Sequence, residues 1–134
     1  NPHVLSIYGE SLLRNGDIDT AIKIFEKMYE LEPVVAADAN SDRPLQTILF
    51  AYYMNGDFDK CRSLFMNVED FSARTWISFI DLHINNGKDY KIEAWYEKGL
   101  NKFKDINWKE EIKTFHLSDI KIIDSLKKTS LQLG

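Results

Sequence analysis

Basic and aromatic side chains alternate around residue 103 of this 134-residue chain. The run Lys102-Phe103-Lys104 is followed by Trp108 and Lys109. Proteins that bind single strands use this combination, because rings stack on bases while cations contact phosphates. The two rings also fit a helix end that packs on its neighbour. We expect Phe103 and Trp108 to pack, and we keep Lys102 and Lys104 as candidate binding residues.

Four further residues have side chains suited to an extended ligand, and they lie near the starts of predicted helices: Ser6, Arg43, Gln46 and Arg74. The two arginines can contact phosphates, whereas the serine and the glutamine can hydrogen-bond to a base or to a peptide backbone. The alternative for all four is a solvated position on a helix surface, where such residues are common.

The residue types that carry catalysis and metal binding are scattered. His3, His83 and His116 have no His or Cys partner three or four residues away, so their spacing does not form a metal site. Cys61 is the only cysteine and falls where a small buried residue is expected. Glycine-rich phosphate loops and nucleophile motifs are absent from the sequence. We therefore expect no enzyme, no cofactor and no small-molecule substrate.

Composition favours a helical protein with one core. Hydrophobic residues make up 44% of the chain, with only six glycines and three prolines. No run of about 18 apolar residues is long enough to span a membrane, so we expect no membrane insertion. The net charge of −4 argues against a generic nucleic-acid binder, but it is uneven. Residues 1–70 carry −6, and residues 71–134 carry +2.

Three segments carry the same turn signal: Arg14-Asn15-Gly16-Asp17, Met54-Asn55-Gly56-Asp57 and Asn85-Asn86-Gly87-Lys88. Each glycine suits the left-handed position that ends a helix, and Asp17 or Asp57 can cap the next one. Apolar residues recur at helical spacing on both sides. Five residues after each glycine, the position of a small residue holds Ala21, Cys61 and Ile92, and nine after it the position of a ring holds Phe25, Phe65 and Tyr96. Ile92 departs from the small-residue pattern, which predicts looser or shifted packing in the third hairpin.

Helical faces follow from the same spacing. The first helix should bury Leu5, Tyr8, Gly9 and Leu12, and the third hairpin should bury Ile92 with Trp95, Tyr96 and Leu100. A last helix, capped at Ser118 or Asp119, should carry Ile120, Ile123, Leu126 and Leu131. Ser41 or Asp42 should cap the first helix of the second hairpin.

The sequence therefore predicts an all-α fold, a right-handed solenoid of stacked helix-turn-helix hairpins. We expect about three repeats, at 2–41, 42–72 and 73–107, and a terminal helical element at 108–134. The chain begins Asn1-Pro2-His3 without a methionine. We treat residues 1–134 as one segment of a longer protein.

The first unit resembles a tetratricopeptide repeat through Leu5, Tyr8-Gly9, Leu12, Gly16-Asp17, Ala21, Phe25 and Leu31-Glu32-Pro33. The second and third units resemble pentatricopeptide repeats (PPR), through Ile48-Leu49-Phe50-Ala51-Tyr52, Gly56-Asp57, Cys61-Arg62 and Leu64-Phe65, and then Thr75-Trp76 and Phe79-Ile80-Asp81. The variable repeat length favours the PPR family for the chain.

The PPR resemblance implies a mitochondrial protein that binds single-stranded RNA and acts in transcript stability, processing or translation. By that resemblance, bases are read by a residue early in the first helix (Ser6, Gln46 and Ile77) with one near the repeat's end (Ser41, Ser72 and Asn107). Ile77 lacks a hydrogen-bonding group, so base-specific readout is doubtful. The tetratricopeptide resemblance implies instead a scaffold that binds protein partners. A third alternative is structural spacing within a longer solenoid.

Overall fold

The computed structural model describes residues 2–31 and 43–133 of the chain. Within these residues every regular element is a helix, and there are eight of them. In chain order they are α1 Pro2–Arg14, α2 Ile18–Leu31, α3 Arg43–Met54, α4 Phe58–Phe65, α5 Ala73–Asn85, α6 Ala94–Lys102, α7 Trp108–Lys113 and α8 Ile120–Ser130. The all-helical prediction is confirmed for this part of the chain.

The helices form hairpins that contact one another in sequence. α1 packs on α2, α3 on α4 and α5 on α6, while α2 and α3 join the first two hairpins and α3 and α5 the next two. The short α7 packs on α8, and α8 returns to α5. This order of contacts is that of stacked hairpins. The right-handed turn of the stack and the single domain over 1–134 stay predictions.

The three glycine turns share one geometry. Gly16, Gly56 and Gly87 have φ angles of +84°, +71° and +66°, in the left-handed region that favours glycine. In each turn the amide after the glycine donates to the carbonyl five residues earlier, at 2.9 to 3.0 Å. These bonds satisfy carbonyls that the ending helix leaves without partners. The predicted hairpin turns are confirmed.

The predicted caps differ from one helix to the next. Asp17 accepts a hydrogen bond from the Thr20 amide at 3.3 Å, and Asp119 accepts one from the Lys121 amide at 2.9 Å. Asp57 stands at the start of α4 without a side-chain cap bond. Its carboxylate lies 3.8 Å from the Lys60 ammonium instead. The predicted cap at Ser41 or Asp42 lies outside the described residues.

The small and ring positions are confirmed in the first two hairpins. Ala21 and Cys61 are fully buried where the paired helices cross, and Phe25 and Phe65 are buried one turn later. Gly9 of α1 allows an especially close crossing, since a Cβ there would lie 2.5 Å from the Phe25 ring. These contacts fix how each first helix lies on its second helix.

The prediction that Ile92 lies on a buried helix face is wrong, whereas the packing of the third hairpin is shifted as its departure from the small-residue pattern predicted. α6 begins only at Ala94, and Ile92 lies before it with 80% of its surface exposed. The extra loop is stabilised by Asp89, which accepts a hydrogen bond from the Lys91 amide at 3.0 Å, and by the buried ring of Tyr90 against Tyr96. The small residue of this hairpin is Gly99, which lies directly under the Trp76 ring of α5.

Three residues assigned to buried faces are exposed. Tyr8 is 51% exposed, because the face of α1 toward α2 is centred on Gly9 and Leu13 rather than on Tyr8. Ile120 and Leu131 are 70% and 85% exposed, because α8 turns Leu126 and Thr129 toward the core instead. Leu131 also lies just beyond the end of its helix.

A chain of aromatic rings fills the core of the third hairpin. Trp76 lies at its centre, stacked on Tyr96 and on Trp108 with ring centroids 6.0 and 5.9 Å apart. Phe103 lies 5.6 Å from Trp76, and the indole N–H donates to the Trp95 carbonyl at 3.0 Å. Phe103 and Trp108 are therefore packing residues, as predicted.

Candidate binding surface on the first helices

The first helices of the three hairpins carry four of the six predicted binding residues. α1 contacts α3, and α3 contacts α5, so the three helices lie side by side. Ser6 is half-buried in α1. Arg43 is the first residue of α3, and its side chain lies outside the described residues. The side chains of Gln46 and Arg74 are described and bind within the protein.

Gln46 of α3 holds the start of α5. Its Oε1 accepts hydrogen bonds from the Ser72 amide and from the Thr75 hydroxyl, both at 2.7 Å. Its Nε2 donates to the Asp70 carbonyl at 3.4 Å. Ser72 in turn caps α5 by accepting from the Thr75 amide at 3.2 Å. The Gln46 amide is thus part of the connection between the second and third hairpins.

Arg74 of α5 reaches back to the first hairpin. Its guanidinium donates to the Glu10 carboxylate of α1 at 2.6 Å, and both side chains are only 21% exposed. The same guanidinium lies 4.3 Å from the centre of the Phe50 ring of α3. A charge pair and a cation–π contact therefore join one residue from each first helix.

Lys102 and Lys104, which we grouped with the candidate binding residues of the inner helices, do not lie on first helices. Lys102 ends α6 and Lys104 follows in the turn beyond it, where it is exposed. The Lys102 ammonium pairs with the Asp70 carboxylate and donates to the Phe71 carbonyl at 2.8 Å. This contact holds the pKa of Asp70 below its usual value, through the hydrogen bond first and the charge second.

The positions that the PPR resemblance assigns to base reading are mostly occupied. Ile77 has no exposed surface, so its side chain cannot reach a ligand. Gln46 and Ser72, the pair assigned to the second repeat, bind each other. Asn107 caps α7 by accepting from the Glu110 amide at 3.3 Å. Ser41 lies outside the described residues, which leaves Ser6 without its predicted partner here.

Asp81 is a buried junction that the sequence reasoning did not single out. With 1% exposure, it accepts hydrogen bonds from Tyr53 and Thr129 at 2.6 Å and from Ser125 at 2.7 Å. Burial, followed by the Asp81 charge, raises the pKa of Tyr53, so the phenol keeps its proton and donates. The sequence carried a partial signal, because Asp81 stands between Ile80 and Leu82 in a largely apolar helix and a buried acid needs partners, but it did not show which residues those are.

The buried His83 belongs to a second polar cluster, with the partly exposed Arg62 and Glu93. Its Nε2 lies 3.1 Å from Arg62 Nη1, which can only donate, so Nε2 is the acceptor and Nδ1–H donates to the Phe79 carbonyl at 2.9 Å. Arg62 also pairs with Glu93 at 3.0 Å. Burial is the main cause that lowers the pKa of His83 below its ordinary value of 6.5, and the neighbouring positive charge of Arg62 lowers it further.

His83 therefore links the stability of the fold to pH. The native state holds His83 neutral at pH values where the unfolded chain already binds a proton, so acid favours unfolding. His83 does not lower the free energy of unfolding above about pH 6.5. As the pH falls from there toward the lowered native pKa, the free energy of unfolding decreases by up to about 1.4 kcal/mol per pH unit. Urea unfolding between pH 7.5 and 5 measures it. His83→Gln should flatten the dependence, and an equally steep dependence in that variant would contradict the role of His83.

Cys61 is a structural residue. Its side chain is 2% exposed, and its thiol donates to the Leu49 carbonyl at 3.4 Å. Burial, followed by the Asp57 charge, raises the pKa of the thiol and disfavours the reactive thiolate. In the described ranges, 2–31 and 43–133, no group of three or more His, Cys, Asp or Glu side chains has the geometry to hold a metal ion. No described helix is long and apolar enough to cross a bilayer.

One known repeat family matches part of the first hairpin. The family model of the PPR repeat matches residues 10–32, which cover the end of α1, the Gly16 turn and α2. No curated protein and no solved structure matches the chain at a significant level. The match falls in the first hairpin, whose residues we compared with a tetratricopeptide repeat, and it supports a PPR-type repeat there. PPR repeats generally form RNA-binding modules without catalytic activity.

Proposed function

We propose that the chain is part of a mitochondrial PPR-type protein that binds single-stranded RNA and supports the stability, processing or translation of a transcript. The PPR match at residues 10–32 carries this proposal. It is supported by the same glycine turn in all three hairpins. Localisation of the full-length protein by microscopy tests the compartment, and a cytosolic protein would contradict it.

We further propose that this segment contacts the RNA backbone without reading bases. Ile77 is buried, and the Gln46 amide binds Ser72 and Thr75, so two of three base-reading positions are unavailable. Ser6 is half-buried, and Ser41, the residue predicted to read a base together with it, lies outside the described residues. Cationic side chains remain, with Lys104 exposed and Arg74 paired to a single carboxylate.

Binding of labelled single-stranded oligonucleotides at several salt concentrations tests this function. We expect affinity to fall linearly with salt on logarithmic axes, because phosphate contacts release counterions. Oligo-U and oligo-A should bind equally. Absence of binding at low salt would contradict the RNA proposal, and a base preference would contradict the backbone mode alone.

Glu10→Gln should strengthen binding of RNA. The substitution releases the Arg74 guanidinium for a phosphate and removes a negative charge from the surface. A partly exposed ion pair contributes about 1 kcal/mol at most, so we expect a gain of up to about fivefold. Glu97→Gln of α6, which changes the net charge equally, is the matched control. An equal gain of RNA affinity in both variants would show an effect of net charge alone and would contradict a role for Arg74.

Gln46→Ala should lower stability and leave base preference unchanged. It removes two hydrogen bonds of 2.7 Å, for an expected loss of about 1–3 kcal/mol in the free energy of unfolding. Gln46→Glu keeps both acceptor contacts and should cost less. Urea unfolding and oligonucleotide binding are measured on the same samples. A changed base preference in the stable Gln46→Glu variant would restore Gln46 as a reading residue.

A protein scaffold of the tetratricopeptide type is the second candidate. Three neighbouring apolar residues of α1 are exposed, Val4 at 61%, Ile7 at 71% and Tyr8 at 51%, which favours a protein contact there. Isolation of partners with and without nuclease separates the candidates. A partner retained after nuclease treatment supports the scaffold, and one lost with the RNA supports the first proposal.

A further inference from the structure

The terminal helices α7 and α8 enclose a cleft of about 290 Å³. Six residues line it, three aliphatic and three basic: Ile112, Leu117 and Ile123, with Lys113, His116 and Lys127. None of the six is acidic, although acidic residues outnumber basic ones in the whole chain. The cleft therefore joins an apolar floor to a positive rim.

Further exposed residues lie on the same side of α8 as the lining residues Ile123 and Lys127. Ile120, Ile123, Asp124, Lys127 and Leu131 recur at helical spacing on that side, opposite the buried Thr129. Ile120 and Leu131 are 70% and 85% exposed and lie one helical turn before Ile123 and one turn after Lys127, so with Ile123 they form an apolar strip on this side of α8. We call the six lining residues with Ile120 and Leu131 the α8 groove.

The cations of the groove are largely free for a ligand. Across residues 2–31 and 43–133, no ion pair or hydrogen bond engages the Lys127 ammonium. Lys113 pairs only with Glu110 at 3.1 Å, in a pair that is about 60% exposed and therefore weak. A negative group can displace Glu110 at little cost.

His116 brings a strained backbone to the groove. Its φ of +54° is left-handed, a region where glycine is favoured and other residues are less stable by about 1 kcal/mol. A glycine at this turn would remove the strain, yet the chain carries an imidazole that lines the cleft. Such strain is typical of positions kept for binding.

We infer that the α8 groove binds an acidic peptide of a partner protein, with one bulky apolar side chain in the cleft and flanking carboxylates on Lys113 and Lys127. The cleft is partly open to solvent, which suits a peptide better than a small molecule, since pockets usually bury a small molecule on most sides. The charge suits carboxylates, and the aliphatic floor offers no flat ring on which bases could stack, apart from His116. The inference is independent of the RNA proposal.

Fluorescence anisotropy with synthetic ten-residue peptides tests the inference. The probes carry one Leu, Ile, Phe or Trp flanked by glutamates, and the controls replace the apolar residue by serine or the glutamates by glutamines. We expect at least one probe to bind, and each control peptide to bind about tenfold more weakly, the loss of one good contact. No binding by any probe, or equal binding of the controls, overturns the inference.

Charge reversal locates the site. Lys113→Glu with Lys127→Glu should weaken binding tenfold or more, whereas Lys109→Glu with Lys121→Glu, on the same helices but outside the cleft, should change it less than twofold. Ile120→Ser and Leu131→Ser, both at exposed positions, test the apolar strip without disturbing the core. An equal loss of peptide affinity in the two double variants would show a general electrostatic attraction and would contradict binding in the cleft.

His116→Gly gives opposite effects on two readouts. Because it relieves the backbone strain, it should raise the melting temperature, and because it removes a lining group, it should weaken peptide binding. Unchanged binding would remove His116 from the site. If oligo-U displaces the peptide, the groove binds RNA and the inference is overturned. If the chain forms a dimer that the peptide does not disrupt but the lysine reversal abolishes, the groove binds a second copy of the chain, and the inference is likewise overturned.

Discussion

Asp81→Ala should destabilise the protein by about 3–6 kcal/mol and release the C-terminal helix. Two fully buried hydroxyls, of Tyr53 and Thr129, lose their acceptor, and buried hydrogen bonds to a charged group contribute about 1.5–3 kcal/mol each. α8 packs on α5, and Asp81 accepts hydrogen bonds from Ser125 and Thr129 of α8, so the docking of α8 should weaken first. Urea unfolding measures the total loss, and amide hydrogen exchange within residues 120–130 measures the release.

Tyr53→Phe is the control for Asp81→Ala, because it removes only one of the hydrogen bonds to Asp81. Tyr53→Phe removes one donor and leaves the acid with Ser125, Thr129 and Asn85. It should cost less than Asp81→Ala, and combining the two changes should add little, because the shared bond is already absent. Fully additive losses, or unchanged exchange in α8, would contradict the role of Asp81 as the junction between α5 and α8.

Gly99→Ala should destabilise the protein by about 1–3 kcal/mol although alanine is the better helix former. Helix propensity alone predicts a gain of about 1 kcal/mol for this change in α6. The added Cβ would overlap the Trp76 ring, however. That ring is 1% exposed, stacked between Tyr96 and Trp108 and tied to the Trp95 carbonyl, so it has no room to move. Overpacking of a tight core costs about this much.

Two variants test whether the overlap is the cause. Trp76→Phe in the Gly99→Ala background shortens the opposing ring and should recover part of the loss, which thermal unfolding measures. Asn101→Ala, at an exposed position of the same helix, should be neutral or stabilising. A gain in stability from Gly99→Ala alone would show that α6 lies farther from Trp76 than described.

Local features of the fold were predictable because local residues determine them. Gly16, Gly56 and Gly87 predicted three helix ends, since few other residues adopt the backbone that these turns require. Ala21 with Phe25, and Cys61 with Phe65, predicted the crossings of the first two hairpins. The third hairpin did not follow, because Asp89 and Tyr90 stabilise an additional turn that no periodicity shows.

The binding residues were less predictable because their partners lie far away in sequence. Gln46, Arg74 and Lys102 have suitable types for binding a strand, but each binds a residue of the same chain that is 26 to 64 positions distant. Sequence spacing identifies which side chains are polar, and only the packed helices determine whether they are already engaged. Asp81 was overlooked for the same reason, since its main partners lie 28 to 48 residues away.

The contact between Arg74 and Glu10 has a consequence for how the array can unfold and evolve. In a purely linear array each repeat is stabilised by its immediate neighbours, so units can melt or be duplicated one at a time. Here the first hairpin is joined directly to the third across the second. Loss of either outer hairpin therefore removes from the other an ion pair that contributes about 1 kcal/mol at most. Insertion of a fourth hairpin between them would break the same contact.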